Sequence, residues 1–272
     1  MKDGFIENVY YRFFDVSTPS AYIFAIHGLG GHCLWFDKAA ALFNNKGIGF
    51  FSFDLPAFGQ SKYEKGTISS YKVWVDVSRN LLWKYLNDFA VKKPVFILGH
   101  SMGALVALNM VPLVKANGWI LSVPGFQGHK DSFPFSSFTL PVLFKSLFCP
   151  KSKITVPFGP ELLTKNINTQ RELKKDPYRV INPDANIYLQ VYLLSNKAKK
   201  LCSSLTEPVL MLQADEDRVC SNHYMDKCFK EISSSNKEKI VYGNSYHDLF
   251  VEDSLNALVD DISAWIQRVI LS

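Results

Sequence analysis

The sequence has no run of 18 uninterrupted apolar residues, so no segment of it reads as a membrane-spanning helix. Its first residues, MKDGFIENVYYRFFDV, lack a basic segment followed by an apolar one and do not read as a secretory signal. Cysteine is sparse: Cys33, Cys149, Cys202, Cys220 and Cys228, an odd number with no Cys-x-x-Cys. That spacing suits neither a zinc site nor a disulfide framework, and we read the five as reduced thiols of a cytoplasmic protein. No histidine pair stands at i, i+4 beside a carboxylate, which argues against a metal site. The glycine-rich stretch GLGGHC lacks both the lysine and the spacing of a P-loop, and it lacks Gly-x-Gly-x-x-Gly. Internal repeats are missing as well. No metal, no other cofactor and no nucleic-acid partner is expected.

What is present is a chain of 272 residues with 47% hydrophobic and 20% charged residues, enough for one large domain with a substantial core. Phenylalanine is abundant at 21 residues, either as core or as the lining of a pocket for apolar substrates. Charge is uneven. Between Gly125 and Lys200 twelve Lys and Arg face five Asp and Glu, so this stretch carries more than the whole net charge of +5. Such asymmetry fits either a solvated lysine-rich surface or an anionic partner.

Short apolar runs recur, each closed by turn residues: AYIFAIHG (21–28), IGFFSFDLP (48–56), PVFILGHS (94–101), GWILSVPG (118–125), PVLMLQAD (208–215) and the shorter KIVYGNS (239–245). Near-continuous apolar runs suit parallel strands covered on both faces. Helix-like segments lie between them at 34–45, 71–89, 103–115, 222–232 and 255–270. This alternation predicts an α/β fold, a mostly parallel sheet with helices on both faces. FIENVYYRFFDV reads as an extended or antiparallel N-terminal strand. From Gly125 to Ser203 the alternation stops and prolines accumulate around SFPFSSFTLPVLFKSLF. We read 125–203 as an inserted, mainly helical lid between the fifth and sixth parallel strands of a core formed by 1–124 and 204–272.

FILGHSMGALVALNM joins a buried strand to a helix through five residues with a serine at their centre. So sharp a reversal forces Ser101 into a strained backbone and leaves room only for glycine at 99 and 103. The turn lifts the Ser101 hydroxyl beyond the carboxyl end of the sheet, the edge at which open α/β sheets bind ligands. A serine nucleophile needs a base, and the base an orienting acid, in the chain order Ser, acid, His for this arrangement. Of the histidines after Ser101, His129 lies in the lid and His223 opens a helix. His247, in the turn after the last strand, faces the right edge and is taken as the base. The acid belongs on the loop after PVLMLQA, where Asp215, Glu216 and Asp217 are candidates. Asp217 is favoured because Asp215 stands close enough to the strand end to serve the turn. Backbone N–H groups of Met102, first in the helix, and of Leu29, in HGLGGH, are the expected oxyanion donors.

With these residues in place the chain resembles the alpha/beta-hydrolase superfamily, and most of all its monoacylglycerol lipase and lysophospholipase branch, the serine aminopeptidase S33 or hydrolase-4 grouping. The resemblance rests on HGLGGH, DLPAFGQS, GHSMGA, GWILSVPGF, ADEDRVC and YHDLF. It departs at Ala57 and Ala214, where the family usually shows glycine. It implies a serine esterase working through Ser101, Asp217 and His247, with Leu29 and Met102 at the oxyanion hole, on a monoacylglycerol or lysophospholipid. The basic, Phe-rich lid would touch an anionic membrane surface from the cytoplasmic side. A small-ester carboxylesterase, a prolyl aminopeptidase-like hydrolase, and a non-catalytic ligand-binding protein of the same fold are the other readings.

Overall fold

The computed structural model describes residues 1–88 and 92–272. In chain order its elements are β1 (Lys2–Ile6), β2 (Val9–Phe14), β3 (Ala21–Ile26), α1 (Asp37–Asn45), β4 (Ile48–Phe53), α2 (Tyr71–Asp88), β5 (Val95–His100), α3 (Met102–Met110), β6 (Gly118–Ser122), α4 (Leu140–Phe148), α5 (Pro160–Leu163), α6 (Ile167–Lys175), α7 (Ala185–Leu201), β7 (Val209–Ala214), α8 (Asn222–Glu231), β8 (Lys237–Tyr242) and α9 (Leu255–Leu271). The strands form one sheet in the order β1-β2-β4-β3-β5-β6-β7-β8, parallel from β4 to β8. β3, β4, β5, β6 and β7 are buried along their whole length, as continuous apolar runs covered on both faces must be. β8 closes the edge with alternating charge, KEKIVY, and is only half-buried.

The structure refines the expected elements. The N-terminal stretch is a hairpin of two strands, with β1 antiparallel to β2 and β2 antiparallel to β4. The helix expected over 71–89 runs Tyr71–Asp88, and Phe89 lies outside the described residues. The helix expected to reach 115 stops at Met110. The segment rich in proline leaves the sheet after β6 and returns at β7, the fourth and fifth of the parallel strands. That is one place earlier than expected, because the hairpin is antiparallel and does not join the count. Ala57 sits at φ 77°, a backbone region glycine enters freely, so alanine there costs about 1 kcal/mol.

One expectation is overturned. Cys202 and Cys228 form a disulfide with Cα atoms 5.7 Å apart, and Cys33, Cys149 and Cys220 are the free thiols. Nothing in the sequence spacing announces this pair. It arises because the short 3₁₀ turn after α7 (Cys202–Ser204) packs against α8. The reading of five reduced thiols therefore fails, and with it the thiol argument for a cytoplasmic location. Among the described residues no helix is long and apolar enough to cross a membrane.

Candidate active site

Ser101 occupies the turn between β5 and α3 at φ 55°, ψ −117°, a conformation that non-glycine residues rarely hold. Its neighbours explain the two glycines. A Cβ on Gly99 would run into Gly103 O and the Ala104 backbone, and one on Gly103 into the carbonyls of Ile26 and His27. The turn is tied to β6 by the Ser101 N–H, which donates to Ser122 O (2.9 Å), and by Gly125 N–H, which donates to Ser101 O (3.2 Å). The strain is thus held by surrounding hydrogen bonds and packing.

Two loops at the same edge bring the partners. His247 lies between β8 and α9, and Asp217 follows β7. His247 Nε2 is 2.9 Å from Ser101 Oγ, and His247 Nδ1 is 2.8 Å from Asp217 Oδ2. The free oxygen of Asp217, Oδ1, accepts the N–H groups of Val219 and Cys220, both at 2.8 Å, which fixes the carboxylate. All three side chains are buried, so their mutual bonds are little screened by water. Burial pulls the His247 pKa down, but the charge and hydrogen bond of Asp217 and the charge of Asp248 together hold it above the ordinary histidine value. Asp215 takes the other role: its carboxylate accepts Asn244 and Ser245 N–H at 3.1 and 3.2 Å and shapes the turn that leads to His247. Glu216 pairs with Lys165 at the surface. His129 sits beside Asp131, and His223 stands at the start of α8; among the described residues neither side chain hydrogen-bonds Ser101 or Asp217.

Leu29 and Met102 flank Ser101. Among the described residues no hydrogen bond engages either N–H, so both are free to donate into the space before the hydroxyl. The Leu29 loop is braced from two sides. Leu55 N–H donates to His27 Nε2 (2.9 Å), which puts the His27 proton on Nδ1, donating to Gly28 O (2.8 Å). Burial keeps His27 neutral, with its pKa lowered to about 4. From the opposite side, Asp176 Oδ2 meets His32 Nε2 at 2.7 Å and accepts Trp35 Nε1–H at 2.8 Å, while Val180 N–H donates to Gly30 O at 3.0 Å. The sequence gives no sign of Asp176: its partners stand more than 140 residues away along the chain.

Two spaces meet at Ser101. The larger, about 430 Å³, lies under the β6–β7 segment and is lined by Phe126, Phe133, Phe138, Val142, Leu143 and Tyr188 among others, with no charged side chain. The smaller is a narrow cleft of about 10 Å³ beside His247, lined by Trp35, Val156, Phe158, Arg179 and Asp248. One set of donor atoms of metal-binding type comes together among the described residues, on Asp217, Cys220 and His247 within 4.8 Å. Asp217 and His247 are engaged with each other, and burial first of all, then the nearby Asp217 charge, pushes the Cys220 thiol pKa well up. This set therefore fits a proton relay better than an ion.

The profile of the Hydrolase_4 family, described as serine aminopeptidase, S33, matches residues 17–254. A monoglyceride lipase of Rattus norvegicus is 28% identical over 92% of this chain and 84% of its own. Phospholipase YtpA of Bacillus subtilis is 25% identical over 86% of this chain and 90% of its own. Among solved structures, a soluble variant of the monoglyceride lipase from Saccharomyces cerevisiae superposes with a TM-score of 0.89 at 20% identity, covering 98% of this chain and 94% of that one.

Proposed function

Since the chain belongs to the serine aminopeptidase S33 (Hydrolase_4) family of the α/β-hydrolase fold, we propose that it cleaves monoacylglycerols and related single-chain lipid esters through an acyl-enzyme on Ser101. Its class is carboxylic ester hydrolase. The observation that carries the substrate reading is the uncharged, aromatic-lined space of about 430 Å³ opening on Ser101 Oγ. That size lies in the range of about 300–1,000 Å³ of small-molecule sites.

In this mechanism His247 Nε2 takes the Ser101 proton as Oγ adds to the ester carbonyl. The carbonyl oxygen becomes an oxyanion, received by the Leu29 and Met102 N–H groups. Asp217 keeps the His247 ring oriented and stabilises its positive charge. The tetrahedral centre collapses, the C–O bond to the alcohol breaks, and His247 hands its proton to the departing oxygen. Water, deprotonated by His247 in turn, then releases the fatty acid from Ser101. The acyl chain lies in the large space, where each buried methylene contributes about 0.8 kcal/mol.

The segment 125–203 acts as a lid over that space. Its outer face is apolar in an unusual way: Phe144 is 61% exposed, Leu147 59% and Phe148 68%. Exposed Lys130, Lys145 and Lys151 stand on the same segment. Such a face suits peripheral contact with an anionic lipid surface, an attraction that salt weakens. Co-sedimentation with phosphatidylglycerol vesicles that is lost in Phe144→Ser checks it.

A chain-length series of p-nitrophenyl esters, each below its micellar concentration, tests the substrate reading. Between acetate and decanoate kcat/KM should rise by several tenfold steps. Phe138→Ala should remove about tenfold from the decanoate value and several-fold less from the acetate value. A profile that peaks at acetate would reject a lipid ester in favour of a small one.

A further inference from the structure

The two spaces at Ser101 are not equivalent. His247 lines the narrow cleft and not the large space. In the reading above, the departing oxygen must receive its proton from His247 Nε2, so the alcohol lies on the cleft side and the acyl chain on the other. A neutral glycerol would be met there by polar but uncharged groups. The cleft instead contains two charged side chains, Arg179 and the buried Asp248.

Arg179 is held at a fixed place in the chain. Three residues before it, Asp176 grips His32 and Trp35; one residue after it, Val180 N–H bonds Gly30 O. Its guanidinium is half-buried among Val156, Phe158 and Trp35, and Nη2 donates one hydrogen bond, to Phe158 O at 3.2 Å. Among the described residues no carboxylate forms an ion pair with it. The nearest acidic groups are otherwise occupied or outside. Asp176 is already bonded to His32, Trp35 and Tyr178 N–H, Glu161 is exposed, and buried Asp248 accepts Phe250 N–H and faces His100 at 3.6 Å. Asp176 and Glu161 act on the Arg179 charge from a distance, but with one hydrogen bond made the guanidinium keeps four N–H donors that a phosphate would accept. The cleft's free volume, about 10 Å³, is room for about one water molecule. A head group enters only if a wall yields, and Arg179 is the long, flexible part of that wall.

We propose that Arg179 is a specificity-determining residue that selects esters whose alcohol carries a phosphate, acylglycerol phosphates above neutral monoacylglycerols. The fork of a guanidinium matches two phosphate oxygens, a match that a glycerol hydroxyl cannot provide. The inference rests on the ester-hydrolase reading of the site.

The test compares 1-decanoylglycerol 3-phosphate with 1-decanoylglycerol at fixed ionic strength, below micellar concentrations, in wild type, Arg179→Lys, Arg179→Gln and Arg179→Leu. The wild type should favour the phosphate ester at least tenfold in kcat/KM. Arg179→Gln and Arg179→Leu should bring the ratio to about one, and Arg179→Lys should keep part of the preference. Glycerol 3-phosphate should compete with p-nitrophenyl butyrate in the wild type far better than glycerol does, which reads the site without any variant. Cleavage of 1-decanoylglycerol with a ratio at or below one, or a preference that survives in Arg179→Leu of unchanged melting temperature, overturns the role of Arg179 and leaves the ester reading standing. Turnover of neither lipid and of no p-nitrophenyl ester overturns both.

Discussion

In the sheet, Phe24, Phe50, Phe51 and Phe53 are wholly buried, and Phe24 stacks on Phe51 with ring centroids 5.5 Å apart. Between β6 and β7, Phe144 and Phe148 stand mostly in solvent, while Phe133 and Phe138 of the same stretch turn inward onto the large space. The same residue type is fully used for folding in one region and left partly uncommitted in the other. Apolar surface left in water costs free energy, about 25 cal/mol per Å². Its concentration on one segment above Ser101 is what a lipid-handling cover would show, and a purely structural insertion would have no need of it. The proposed function accordingly puts the chemistry at the sheet edge and the selectivity in the segment above it.

That division can be broken from the sheet side. Asp217→Asn should lower kcat/KM by at least about a hundredfold, because His247 loses its orienting partner. The loss should be the same for acetate and decanoate esters, since the edge is blind to chain length. Asp215→Asn should cost much less, as its carboxylate shapes a turn and does not touch His247. A loss after Asp217→Asn that grows with chain length, in a protein of normal melting temperature, would mean that the two regions do not divide the work.

A smaller effect sharpens the same division. The base must be neutral to accept the Ser101 proton, so kcat/KM should fall as pH drops through the His247 pKa, which Asp217 and Asp248 hold above the usual 6.5. Asp248→Asn removes one of those charges and should move the acid limb to lower pH. A pH–rate profile of the two proteins on one short ester measures this. An acid limb that stays in place would show that Asp248 has no electrostatic hold on His247.

The sheet region was legible in the sequence because its signals are local. Continuous apolar runs marked β3 to β7, and Gly99-His100-Ser101-Met102-Gly103 marked the turn, since only a tight reversal needs small residues on both sides of a hydroxyl. Asp217 could be told from Asp215 by two residues of reach. What escaped depends on contacts between distant parts of the chain. The Cys202–Cys228 pair needs α8 to pack beside the end of α7. The grip of Asp176 on His32 and Trp35, and the placement of Arg179 in the cleft, need the β6–β7 segment folded back onto the Leu29 loop. The mainly helical character of that segment was readable, but seven prolines and scattered lysines between 125 and 203 do not say which side faces Ser101.

The central claim is that Ser101 is a nucleophile activated by His247, and it can be tested by covalent capture. The protein is treated with a fluorophosphonate near neutral pH and its intact mass and peptides are measured. The account predicts one adduct per chain, located on Ser101, formed far more slowly in His247→Ala and absent from Ser101→Ala of unchanged melting temperature. Absence of an adduct from the folded wild-type protein, or an adduct that persists at full rate in Ser101→Ala, would contradict it.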